Sequence, residues 1–178
     1  DVQQAVLDDA IADGAIDGTG TMTDGTYDMI ILCLHQRIAI QMVQEALPKI
    51  PAGTILVDTC GLKGRMVRDL TYRCRKADVR YVGTHPMAGR EKNGYYASIP
   101  NLFQNANLIV TPVDGTDEAA LDTVKELADQ MGFGKIVTAT PMWHDNMIAY
   151  TSQLAHVVSS SYVKDFCMDD ALSFIRQI

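Results

Sequence analysis

The sequence predicts an α/β fold: a doubly wound, mostly parallel sheet of the nucleotide-binding kind, incomplete at its start, followed by the beginning of an all-helical domain. Three observations carry this. Short β-rich runs alternate with helical stretches at roughly 25-residue spacing, the pattern of successive βαβ units. The first run, MIILCL at residues 29–34, is apolar at every position, as a strand covered on both faces is. After residue 140 the alternation stops, and 142–164 reads as one long helix without glycine or proline.

The elements follow in order. Residues 2–14 form a helix with Val6, Leu7, Ala10 and Ile11 on one stripe and Gly14 as its stop. Residues 15–26 are rich in glycine, threonine and aspartate and read as a loop. The strand at 29–34 leads into a helix over 38–50, ended by Pro51 and Gly53. TILVD at 54–58 is the second strand, 62–76 a basic helix, and VRYVG at 79–83 the third strand. Residues 84–106 show no clear period, and connections of that length in compact domains are usually functional or disordered. NLIVT at 107–111, a helix over 116–131 capped by Thr116 or Asp117, and GKIVT at 134–138 complete the sheet. A further helix starts at 169, where Leu172 and Ile175 have no later partner. The expected division is therefore 1–140 for the sheet domain and 141–178 for the start of the helical one.

Composition narrows the function. Fifteen basic residues stand against 22 acidic ones, a formal charge of −7, opposite to what a phosphate backbone attracts, so no nucleic-acid partner is expected. No apolar run approaches bilayer length, so no membrane partner is expected either. Cys33, Cys60, Cys74 and Cys167 include no CxxC pair, which points to free thiols in a reducing, cytoplasmic compartment and to no metal. Asp1-Val2-Gln3-Gln4 has neither the basic region nor the apolar core of a leader, and the chain does not begin with Met.

In open α/β sheets ligands bind beyond the carboxyl ends of the strands. Three polar segments take such positions: 33–36, 58–63 and 83–91. The third, GTHPMAGRE, places His85 two residues past a strand end. An imidazole there serves as general base or acid, or else satisfies loop backbone hydrogen bonds; position alone leaves both open. His144 and His156, twelve residues apart on a helix, point about 120° apart and form no metal pair. Each by itself reads as a helix-surface or interface residue. Ser152 and His156 share a face at i and i+4, where a hydroxyl can orient an imidazole. The glycines at 18 and 20 precede a strand and lack a third member, so they are not a phosphate loop. Arg65, Arg68, Arg73, Arg75 and Lys76 read as a solvated helix face, with phosphate contact the weaker alternative.

The GTHPMAGRE segment, followed by Asn93-Gly94, Ala97, Leu102-Phe103 and Thr111-Pro112, resembles the prephenate dehydrogenase family. His144-Asp145 and the SQLAH at 152–156 resemble that family's HD and SHLPH motifs. The resemblance covers essentially the whole chain. It implies a Rossmann-like domain followed by a helical domain that builds a homodimer. It also implies oxidation of prephenate with NAD to 4-hydroxyphenylpyruvate and carbon dioxide, in tyrosine synthesis; NADP is left open. Carried over residue by residue, it makes His85 the catalytic base. Substrate contacts are His156, Glu91, Thr84 and Ser152, with Glu91 in an ionic gate. Cofactor contacts are Leu34, His35, Cys60 and Gly61. An arogenate or cyclohexadienyl dehydrogenase is the nearest alternative, and a non-catalytic binding remnant of the fold another.

Two departures stand out. The family motif DxxSxK reads here Asp58-Thr-Cys-Gly-Leu-Lys63, with Gly61 in place of the serine that orients the catalytic histidine, so Thr59 or a water is left to orient His85. Gln153 and Ala155 replace a histidine and a proline, and Ala155 removes the reason for a helix kink. The glycine fingerprint GxGxxG is expected before Asp1, which would itself grip the adenine ribose, and a substrate-binding arginine is expected after Ile178. The 178 residues alone are expected to bind NAD weakly and turn over little.

Overall fold

The computed structural model of the chain describes residues 2–25, 27–90, 92 and 94–164. Asp1, Glu91, Cys167 and the helix expected from residue 169 lie outside them.

The apolar runs pair into a five-stranded sheet in sequential order: β1 (Met29–Leu32), β2 (Ile55–Asp58), β3 (Arg80–Pro86), β4 (Asn107–Val110) and β5 (Lys135–Thr138). β1, β2 and β3 are parallel, β4 runs antiparallel to β3, and β5 is parallel to β4. The helices are α1 (Gln4–Ala12), α2 (Gln36–Ala46), α3 (Gly64–Lys76), α4 (Glu118–Gln130), α5 (Pro141–Ile148) and α6 (Leu154–Lys164). Strand alternation sorts the core onto two faces. Leu32, Leu56 and Tyr81 pack with Ala39 and Val43 of α2 and Met66, Leu70 and Cys74 of α3. Ile55, Val57 and Val82 pack on the other face with Ala120 and Val124 of α4. Helices on both faces make the sheet doubly wound, as the sequence predicts.

Two strands differ from expectation. Ile31 of β1 is 45% exposed, because β1 is the edge strand and its α4-side face extends past the helix. β3 runs to Pro86 instead of ending at Gly83. Its last residues find partners in β4, with Thr84 opposite Val110 and His85 opposite Ile109. Pro86 is tolerated at the strand end, where no donor is required of it. His85 therefore projects from a hydrogen-bonded strand, not from a loop.

The connection to β4 is held at several points. A short 3₁₀ turn forms at Tyr95–Ala97. The Tyr95 hydroxyl donates to Asp13 at 2.8 Å, and Tyr96 donates to Asp9 one turn away on α1. Phe103 stacks on Phe133 with centroids 5.0 Å apart. Asp117 is the cap of α4, accepting the Ala120 amide at 2.7 Å.

The stretch 142–164 is not one uniform helix. A π-helical turn at Ala149–Gln153 separates α5 from α6. The absence of proline did not secure regular geometry; π-turns break the i→i−4 ladder without one, and they recur at functional sites. Among the described residues, no helix is long and apolar enough to cross a membrane.

Gly83 shows how tightly β3 is held. A Cβ there would lie 2.7 Å from Thr111 Oγ1 and 3.2 Å from both the Tyr81 hydroxyl and Val67 Cγ2. Gly83→Ala is expected to cost about 1–3 kcal/mol by overpacking, measured as a fall in the urea midpoint with unchanged m-value.

Candidate functional site

The carboxyl ends of β2 and β3 are joined by a fully buried polar network. Asp58 ends β2 and is 0% exposed, as is Lys63 five residues on. The Lys63 ammonium pairs with Asp58 Oδ1 and also donates to the Thr84 carbonyl. The Cys60 amide donates to Asp58 Oδ1 at 2.9 Å, and the Tyr81 hydroxyl donates to Oδ2 at 2.6 Å. Burial pushes the Tyr81 hydroxyl pKa well up, and the Asp58 charge adds to this. The Thr84 hydroxyl donates to the Asp58 carbonyl at 2.6 Å. A charge pair this deep survives only with its remaining lone pairs and protons satisfied. The network folds residues 58–63 into a loop that brings Gly61 against the His85 imidazole. A Cβ on Gly61 would lie 3.8 Å from His85 Nε2.

The other side of that imidazole meets α5. Thr140 caps this helix by accepting the Trp143 amide at 3.2 Å, and Pro141 opens it. His144, 1% exposed, places Nε2 2.9 Å from His85 Nδ1, the rings meeting edge to face. Its Nδ1 lies 2.8 Å from Asp145 Oδ1. The Asp145 carboxylate also accepts the amides of Lys63 at 2.7 Å and Gly64 at 2.8 Å, so it caps α3 from another element. Burial works against the Asp145 charge, but those two amides and His144 outweigh it and hold the carboxyl below its ordinary range. His85 is pushed down to about 4, chiefly by burial, then by electrostatic interaction with His144 and Lys63. The imidazole is neutral at physiological pH.

His85 opens onto a cavity of about 870 Å³ at the carboxyl ends of β1, β2 and β3. Leu34, His35, Cys60, Gly61 and Ser152 line it with His85. The structure thus gathers six of the predicted residues from four separate segments. Three are not gathered. Thr84 is buried beneath the cavity and is spent on the network just described. His156 is exposed and lines a separate shallow groove with Val157 and Ser160. Glu91 lies outside the described residues. A second cavity, of about 760 Å³ near Arg75, Arg80 and Asp117, lies at the opposite end of the strands, away from where such sheets bind ligands.

Sequence reasoning missed His144. It is neither a surface nor an interface residue but the group that holds His85. Thr59 does not take that role, because its hydroxyl donates to the Leu32 carbonyl at 3.2 Å. The available signal was the adjacent His-Asp pair in the first turns of the helix following the last strand.

The thiols differ in environment. Cys33 is exposed at the cavity, whereas burial pushes the Cys60 and Cys74 thiols up to about 12. Only thiolates react appreciably. Brief treatment with a maleimide is expected to label Cys33 and leave Cys60 and Cys74 unmodified, as read by peptide mapping.

Fold and site together define a doubly wound α/β domain with a neutral, hydrogen-bonded imidazole at the mouth of its ligand crevice. Residues 1–138 match the family described as prephenate dehydrogenase, nucleotide-binding domain, and the chain belongs to that family. It is 31% identical over 133 residues to the cyclohexadienyl dehydrogenase of Zymomonas mobilis, covering 74% of this chain and 44% of that protein. It is 32% identical over 109 residues to the prephenate dehydrogenase of Bacillus subtilis, covering 61% of this chain and 29% of that one. Among solved structures it is similar to prephenate dehydrogenase from A. aeolicus in complex with hydroxyphenyl propionate and NAD+. The TM-score is 0.82 at 28% identity, over 92% of this chain and 57% of that one. The chain thus spans less than two thirds of the length of these relatives.

Proposed function

We propose that this chain is the nucleotide-binding part of an NAD-dependent dehydrogenase that converts prephenate to 4-hydroxyphenylpyruvate and carbon dioxide, with His85 as general base. The observation that carries the reading is the neutral His85 imidazole, held at Nδ1 by His144 and presenting Nε2 to the cavity. The cavity fits the nicotinamide end of the cofactor: Leu34 and Ile148 offer apolar walls, and Gly61, lacking a side chain, leaves the space before His85 Nε2 open. NAD+ held there would supply the hydride acceptor for the ring carbinol carbon, and loss of the ring carboxylate as carbon dioxide completes the aromatic ring. His85 Nε2 takes the hydroxyl proton as that hydride leaves. Lys63 and Asp58 do not line the cavity; they keep the 58–63 loop in place beside the imidazole. Cys33, Leu34, His35, Cys60 and Gly61 form the cofactor wall, and Ser152 faces the substrate side.

Residues 141 onward are proposed to begin a helical domain through which two copies associate. The exposed Trp143, Tyr150, Leu154, Val157 and Val158 support this. Free thiols at Cys33, Cys60 and Cys74 support a cytoplasmic location.

The test is NADH formation by the full protein that contains this chain, with prephenate and arogenate side by side and NAD+ against NADP+. Turnover of prephenate with NAD+ supports the reading. Turnover of arogenate alone moves the assignment to that substrate, and no turnover with either removes it.

A further inference from the structure

We infer that Asp145 and His144 form a positioning pair that selects which nitrogen of His85 is basic and shares the proton it receives; this deepens, and rests on, the reading of His85 as base. The Asp145 carboxylate is an acceptor only, already taking the Lys63 and Gly64 amides. His144 Nδ1, 2.8 Å away, must therefore donate to it. In its neutral form His144 has this one N–H, and its Nε2 then carries a lone pair. His85 Nδ1, 2.9 Å from that lone pair, must carry the proton. Neutral His85 is then left with a bare Nε2, the nitrogen beside Gly61 at the cavity.

The same chain distributes charge. When Nε2 binds a substrate proton, the new cation sits near the Lys63 ammonium and Asp58. Passing the Nδ1 proton to His144 Nε2 moves the charge onto an imidazole whose other N–H already faces the Asp145 carboxylate. No proton is created or lost: one N–H bond breaks on His85 and one forms on His144. The groups facing the imidazole pair are Asp145 from α5 and Asp58 and Lys63 from β2 and the loop after it. Helix docking keeps the pair in place. A Cβ on Gly64 would approach Asp145 Oδ2 to 3.0 Å, so the bare glycine lets the carboxylate seat on both amides.

The first experiment is ¹⁵N NMR of the histidine-labelled protein near pH 7, which distinguishes imidazole tautomers directly. The expected result is His85 protonated at Nδ1 and unprotonated at Nε2, with His144 also carrying its proton on Nδ1. A proton on His85 Nε2 overturns the inference whatever the activity. Second come His144→Phe and His144→Gln. His144→Phe, with no acceptor for Nδ1, is expected to move His85 toward the Nε2–H tautomer. His144→Gln supplies an amide oxygen and is expected to restore the Nδ1–H form without passing the proton on. In the full protein, His144→Phe should lower kcat by up to about 100-fold, with the KM for NAD+ unchanged and less loss than removing the base itself. Unchanged tautomer and kcat in His144→Phe overturn the inference. If the full protein turns over neither substrate while His85 carries its proton on Nδ1, the proposed reaction falls and the tautomer selection stands.

Discussion

His85→Asn is expected to lower kcat with prephenate by about 10²- to 10⁴-fold, the usual worth of a positioned general base, while the KM for NAD+ stays the same. Asn keeps a polar group against His144 but accepts no proton at the cavity. Steady-state kinetics on the full protein measure this, and a variant retaining more than a tenth of wild-type kcat would remove His85 from the chemistry. The pH dependence sharpens the expectation. Burial, with electrostatic interaction with His144 and Lys63, holds His85 near 4 instead of the ordinary 6.5. The base is competent when unprotonated, so the acid limb of kcat/KM should lie below 6.5 and toward 4. Linkage gives the matching stability effect. The unfolded chain binds this proton at 6.5 and the folded one only near 4, so stability from this group is fully present above 6.5 and declines as pH falls toward 4. Urea titrations across that window should show a shallower decline for His85→Asn.

Lys63→Met is expected to destabilise the fold by about 3–5 kcal/mol, because it leaves the Asp58 charge buried without a cation. The Tyr81 hydroxyl and Cys60 amide would remain on Asp58, but the Thr84 carbonyl would lose the ammonium donor. Combining Lys63→Met with Asp58→Asn should recover part of the loss, since no unpaired charge is then left inside. Equilibrium unfolding of the two variants measures both effects. Equal stability of Lys63→Met and wild type would show that the pair carries no such penalty. Lys63 is fully buried and does not line the cavity, which makes this a stability effect first. Disorder in the 58–63 loop would then lower activity by releasing Gly61 from its place beside His85.

The helix and strand order was legible because each element carries a local signal. The 3.6-residue stripe of α1, the apolar run of β1 and the Asp117 cap of α4 are properties of neighbouring residues. The family too was legible, since GTHPMAGRE and the His-Asp pair are contiguous in the chain. His85 could be singled out for the same reason.

What tertiary structure decided was each residue's partner. Gly83-Thr-His-Pro86 reads locally as the end of a strand, yet β4 arrives antiparallel and extends it through His85. The π-turn at Ala149–Gln153 sends Ser152 toward the cavity, while His156, four residues on, faces the groove beside Ser160. His144 and His85 are 59 positions apart in the chain and 2.9 Å apart in space. Asp145 reaches back 82 positions to the Lys63 amide. Local propensity therefore determined the elements of this protein, and a contiguous family motif its candidate base. The tautomer of that base depends on hydrogen bonds between distant segments, because a donor is paired only when folding delivers its acceptor.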